Sequence, residues 1–150
     1  MNDGDSFELA CDTFFEMIGT FKETLVKTVK VLDNEDWRFY KGTVKVCQID
    51  ETGRKKRCRV GIAHQLKIEL TSMDAEAIWQ MFYDYFKKTP LERIERVSGN
   101  EDLGRYEFEA TSQVGDQVTC RIYLPNEWHH PQIYLLGFVS ARYRKGDCLT

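Results

Sequence analysis

The chain has 150 residues, 42% apolar and 30% charged, with a formal net charge of −3. That length suits one domain, residues 1–150, able to bury roughly 70% of its unfolded surface, and the composition is globular rather than disordered. The negative charge excludes a binder whose whole body neutralises phosphates, and no apolar run approaches the ~20 residues of a membrane span.

Asp5 or Ser6 can cap a first helix, with Glu8 in capping-box spacing from Asp5. Phe7, Cys11, Phe14, Ile18, Phe21, Leu25, Val29 and Leu32 recur in steps of three and four, which predicts one apolar stripe. Its last turns are rich in Thr and Val and are expected to fray. A helix of this length, roughly 40 Å at 1.5 Å per residue, overhangs a small domain. Phe7, Phe14, Ile18 and Phe21 are therefore candidates for a homodimer contact as well as for core.

Arg38 to Ile49 and Lys55 to Ile62 read as a hairpin around Asp50-Glu51-Thr52-Gly53. Asp first and Gly fourth suit a type I turn followed by a bulge. That register sets Val46 opposite Cys58 and Val44 opposite Val60. Val44, Val46, Cys58, Val60 and Ile62 then share a core face, and Lys45, Cys47, Lys55, Arg57 and Arg59 share a basic one. Leu66, Ile68 and Leu70 alternate as a third strand. Thr71 or Ser72 caps a second helix from Met73 to about Lys88, with Ala75, Ile78, Trp79, Phe82, Tyr85 and Phe86 on one face and Thr89-Pro90 as its stop. Residues 91–97 fit a strand or a short helix. Tyr106, Phe108 and Ala110, then Val118, Cys120, Ile122 and Leu124, alternate on two further strands. Ile133 to Tyr143 is a nearly continuous apolar strand. The expected fold is α+β: a mostly antiparallel sheet of about six strands, a long N-terminal helix and one central helix.

Five Cys, an odd number with no CxxC pair, point to thiols of a reducing compartment. The acidic start is unlike a signal peptide, so the cytoplasm is the expected location. No motif calls for a cofactor or a metal. His129 and His130, beside Trp128 in a loop bounded by prolines, have the titration range of acid–base groups. Cys47 among Lys45, Lys55, Arg57 and Arg59 would have a stabilised thiolate, but no His is placed to serve it as a base. Arg54 to Arg59 puts five basic residues into six positions. Such a run suits phosphates or an acidic protein surface, and equally the solubility of an exposed hairpin edge.

Gly104 to Glu109, Arg121-Ile122-Tyr123, and Ile133 to Val139 followed by Arg142, Arg144 and Lys145 resemble the closing strands of RelE-type toxins, which are ribosome-dependent mRNA endonucleases. Leu66 to Lys88 would stand for that family's first strand and a helix. The resemblance implies an RNA-facing set of Arg105, Arg121, Arg142, Arg144 and Lys145. The first 64 residues have no counterpart in it, and the chain is acidic where those toxins are basic.

The leading expectation is a non-enzymatic binding or regulatory protein that occupies a protein or protein–nucleic-acid partner. An inhibitor carried by a phage or mobile element fits that profile. Its contact residues would be Lys45, Lys55, Arg57 and Arg59, with Trp128, His129 and His130 as a second set. A RelE-like endonuclease is the second reading, and a thiol- or His-dependent enzyme the third.

Overall fold

The structure, a computed structural model, describes residues 7–34, 36–41, 45–49, 56–113, 115–127 and 130–143, with side chains in 11–34, 36–40, 61–113, 115–127 and 130–139. The order is α1 (Phe7–Thr28), β1 (Arg38–Lys41), β2 (Lys45–Ile49), β3 (Lys56–Leu66), α2 (Ser72–Phe86), β4 (Arg93–Val97), β5 (Arg105–Thr111), β6 (Gln117–Tyr123) and β7 (Gln132–Tyr143). All strand pairs are antiparallel, in the order β1-β3-β7-β6-β5-β4. β2 pairs with β3 further along the edge that β1 uses, so these two short strands share the sixth position. The α+β arrangement expected from the sequence is the one observed.

The apolar stripe of α1 is spent inside the chain. Phe14 is 2% exposed and Ile18, Phe21 and Leu25 are 0% exposed, so Phe14, Ile18 and Phe21 present no surface to a second copy. The side chain of Phe7 lies outside the described ones. The helix stops at Thr28 rather than continuing to Leu32. Val29 turns extended, and a short 3-10 turn over Lys30–Leu32 follows. Two causes are local: β-branched residues crowd these turns, and the Thr24 hydroxyl donates to the Thr20 carbonyl at 3.0 Å. Val29 and Leu32 are buried all the same. The Trp37 indole N–H donates to the Leu32 carbonyl at 2.9 Å and fastens the turn to the start of β1.

α2 begins with a capping box. Thr71 Oγ1 accepts from the Asp74 N–H at 3.1 Å, and Asp74 Oδ2 accepts from the Thr71 N–H at 2.9 Å. Ala75, Ile78, Phe82 and Phe86 point inward, and the two helices meet where the Phe21 ring packs on Phe82, Tyr85 and Phe86 at 5.0–5.8 Å. Both helices cover the same side of the sheet. Trp79 and Phe82 lie on Phe108 of β5, and α1 lies on β7 at Gly137. A Cβ at Gly137 would sit 2.5 Å from Ile18 Cδ1 and 2.6 Å from Phe14 Cε2. The helix can approach β7 this closely because that residue has no side chain.

Val46 is opposite Cys58 and Lys45 opposite Arg59, as the expected register requires, but nearer the turn Gln48 is opposite Arg57 and Ile49 opposite Lys56, one residue off that register. The turn and Val44 lie outside the described residues. A bulge between Val46 and Gln48 leaves Cys47 as the extra residue. The third strand expected at Leu66, Ile68 and Leu70 is not a separate element. β3 runs unbroken to Leu66, opposite Ile133, and residues 67–71 are irregular with Leu70 still buried. Pairing to β7 decides this boundary, since β7 begins at Gln132 and offers no partner beyond that point. Of residues 91–97, Arg93–Val97 form the edge strand β4.

Candidate functional site

Strand alternation gives the sheet two faces. Ile62, Leu66, Phe108, Ala110, Val118, Cys120, Ile122, Ile133, Leu135 and Val139 face the helices and are buried. The opposite phase carries Arg38 and Tyr40 of β1, Gly61, Ala63 and Gln65 of β3, and Tyr134, Leu136 and Phe138 of β7. It continues through Thr119, Arg121 and Tyr123 of β6, Glu107 and Glu109 of β5, and Arg93, Glu95 and Val97 of β4. Among the described residues no helix packs on this side. An antiparallel sheet can face water on one side, but such a face is ordinarily polar. Here Tyr40 is 48% exposed, Phe138 39% and Val97 38%.

The cross-strand rows divide this outer face into two regions. One row reads Tyr40, Ala63, Leu136, Thr119, Glu109, Glu95 from β1 to β4. Its β1–β7 end is apolar around the small residues Gly61 and Ala63. Its β5–β4 end is carboxylate. The Glu109 carboxyl shares a hydrogen bond with Glu107, which pushes it above the usual carboxylate range. Burial and the charges of Glu107 and Glu95 push the same way, and Arg121 opposes them. Arg121 is itself tied to Glu107 at 3.1 Å. At the polar corner between the regions, Gln65 Nε2 donates to Gln132 Oε1 at 2.8 Å and to the Tyr134 hydroxyl at 3.1 Å.

The sequence-derived candidates fall out as follows. Lys45, Arg57 and Arg59 have described backbone, and β3 alternates so that Arg57 and Arg59 are in phase with Gly61, Ala63 and Gln65. Their side chains, that of Cys47, and all of Lys55, Trp128 and His129 lie outside the described residues. His130 is exposed and lines a shallow depression with Val31, Lys67, Ile68, Glu69 and Pro131. Among the described residues no three metal-ligating side chains converge. Cys11 and Cys120 are buried thiols, and burial pushes the Cys120 thiol up, the opposite of an activated nucleophile. Of the set implied by the RelE resemblance, Arg105 and Arg121 share the outer face and line a hollow of about 150 Å³ with Tyr123 and Glu107. The side chains of Arg142, Arg144 and Lys145 lie outside the described ones.

Two features escaped the sequence reading. One is the apolar outer patch. Its signal was β7, whose two phases, Ile133, Leu135 and Val139 against Tyr134, Leu136 and Phe138, are both apolar. The other is Arg96, which hydrogen-bonds Glu76 of α2 through two nitrogens at 2.8 and 2.5 Å and Glu101 through two at 2.7 Å. Its guanidinium also lies 5.6–5.7 Å from the rings of Trp79, Tyr106 and Phe108. That arrangement clasps the edge strand to the helix layer and is structural.

What the fold defines is an α+β protein with an antiparallel sheet, helices on one face and a second face on which no described helix packs. No protein-family model, no curated protein and no solved structure matches the chain. No helix among the described residues is long and apolar enough to cross a membrane.

Proposed function

We propose that this chain is a non-enzymatic binding protein that acts by occupying a macromolecular partner, and that the outer face of the sheet is its contact surface. The observation that carries the reading is the apolar region around Tyr40, Leu136 and Phe138 on a face no described helix covers. Exposed aromatic side chains on a rigid sheet supply contact area at low entropic cost. Along β3 the backbone continues from this region through Arg59 and Arg57, the basic positions singled out from sequence. The test is capture from the native host with tagged wild-type protein, set against a folded Tyr40→Ala/Phe138→Ala variant. The reading expects a partner retained by wild type and lost by the variant. Equal capture by both would reject the face.

A RelE-like endonuclease is a second reading, favoured by Arg105 and Arg121 sharing the hollow beside Tyr123. It expects translation arrest on expression, relieved by Arg121→Ala. Full growth with no mRNA cleavage at ribosomes would remove it.

A further inference from the structure

The two edges of the sheet are built differently. One edge is shared by the short strands β1 and β2, and a bulge between Val46 and Gln48 breaks its ladder. Division and bulging of that kind keep an edge from pairing with another chain. The other edge, β4, has neither device. Arg93–Val97 contains no proline and pairs with β5 without any shift of register. Among the described residues nothing pairs with its far side, so alternate backbone N–H and C=O groups face outward there.

This strand is complementary to itself. In Glu92-Arg93-Ile94-Glu95-Arg96 the charges change sign about Ile94. Two antiparallel copies related by a twofold axis through Ile94 would set Arg93 of each opposite Glu95 of the other, with Ile94 opposite Ile94. Side chains directly opposite have Cβ atoms about 4.5–5.5 Å apart, close enough for ion pairs. Other registers lack this property. An axis through Glu95 sets Glu95 against Glu95 and Ile94 against Arg96, and an axis through Arg93 sets Arg93 against Arg93; like charges so placed are destabilising. A slip of one residue sets helix-facing positions against outward-facing ones.

The side chains stand where such pairing needs them. Arg93 and Glu95 are exposed on the outer phase of β4, and neither makes a hydrogen bond or ion pair with a described residue. Ile94, on the helix side, is half-buried against the core and can meet its copy at the axis. Arg96 brings no unpaired cation to the edge, because Glu76 and Glu101 hold its guanidinium. Its pairing with Glu92 of a second copy would add little for the same reason.

A separate observation calls for a cation at this edge. Glu95 lies opposite Glu109, with Glu107 two residues along the same strand. Arg121 opposes these three carboxylates, but it is tied to Glu107 at 3.1 Å. The Glu109 carboxyl is pushed up by its hydrogen bond with Glu107, then by burial and the charges of Glu107 and Glu95. Arg93 of the same chain is two residues from Glu95 and opposite Thr111, about 7 Å along the strand. A second copy's Arg93 would stand directly across from Glu95.

We infer that β4 is the seam of a homodimer, in which it pairs antiparallel with β4 of a second copy about a twofold axis through Ile94, with Arg93–Glu95 ion pairs on the outer face. The axis is perpendicular to the sheet, so the helices of both copies lie on one side and the two outer faces join into one surface. The dimer does not depend on what that face contacts, and it leaves the buried stripe of α1 untouched. A seam of so few residues is at the small end of specific interfaces, so the dimer should dissociate on dilution.

The test is sedimentation velocity on the full chain from about 1 to 300 μM, a range that brackets a weak association. Wild type should pass from monomer to dimer over that range, and should need more protein at about 500 mM than at about 50 mM salt, because salt screens exposed ion pairs. Arg93→Glu and Glu95→Arg each convert both ion pairs into like-charge pairs, and each should weaken the dimer roughly ten- to hundred-fold. Combined in one chain they restore opposite charges and should restore the dimer. Mixed in equal amounts, the two single variants should form a heterodimer although neither pairs with itself. Urea unfolding of the dilute monomer should find Glu95→Arg at least as stable as wild type, since it relieves the repulsion on Glu109, so a lost dimer is not a lost fold. A wild-type monomer throughout the range, or a dimer indifferent to the single reversals, overturns the inference. So do single variants that neither the double variant nor the mixture rescues.

Discussion

Replacing Gly137 by Ala should destabilise the protein by forcing α1 off β7. The new methyl carbon would lie 2.5 Å from Ile18 Cδ1 and 2.6 Å from Phe14 Cε2, with Ile62 Cγ1 at 3.1 Å. Carbons in contact sit about 3.5–4.0 Å apart, so the first two atoms must each retreat by about 1 Å. Overpacking of this kind costs about 1–3 kcal/mol, offset by a few tenths to about 1 kcal/mol from the stiffer unfolded chain. A net loss of about 1–2 kcal/mol lowers Tm by about 2–8 °C for a chain this size. Ile18→Val alone should cost about 0.5–1.5 kcal/mol, but it removes the very carbon that clashes. Combined with Gly137→Ala it should therefore cost less, or help. Urea unfolding of the four proteins, at constant m-value, measures the coupling. Wild-type stability for Gly137→Ala, or additivity of the pair within about 0.3–0.5 kcal/mol, would refute the placement of α1 against β7.

Arg96→Ala should cost about 1–2 kcal/mol at neutral pH, because it strands the Glu76 and Glu101 carboxylates it now holds. The Arg96 hydrogen bond keeps Glu76 below its usual range. That contribution is present above the ordinary carboxylate value and is lost as pH falls through the folded one. The gap between wild type and variant should accordingly narrow in acid, as read by urea midpoints across pH. His64 is held below its ordinary value by burial and then by the charge of Lys22 on α1, with its ring 4.8 Å from Phe39. The unfolded imidazole therefore takes its proton first, and stability should fall as pH drops below about 6.5. His64→Gln should flatten that slope. Cys120, 0% exposed, should resist a thiol reagent in the native protein and react once unfolded; reaction at the rate of a free thiol would contradict its placement.

Periodicity made much of this protein legible before any coordinates. The steps from Cys11 to Leu32 identified buried positions correctly even where the helix gave way at Val29, since burial follows the apolar pattern more closely than the hydrogen-bond type does. Alternation picked the inward residues of β5 and β6, and the Thr71 cap started α2. These are local properties, decided within a few residues of chain.

Everything that required two distant segments to meet lay beyond that reach. β7 is apolar in both phases, so its pattern alone could not say which side would face the helices. Contact of Gly137 with Phe14 and Ile18 decided it and left Tyr134, Leu136 and Phe138 on the outside. The extent of β3 through Leu66 was set by a partner strand some seventy residues later. Gly61 and Gly137 look alike as letters, and only the packing of α1 distinguishes the glycine that lets a helix approach from the one that does not. The strand order brought Tyr40 beside Ala63 and Leu136, because side-chain phase is fixed locally by the pleat whereas neighbours across a sheet are fixed by the topology of the whole chain.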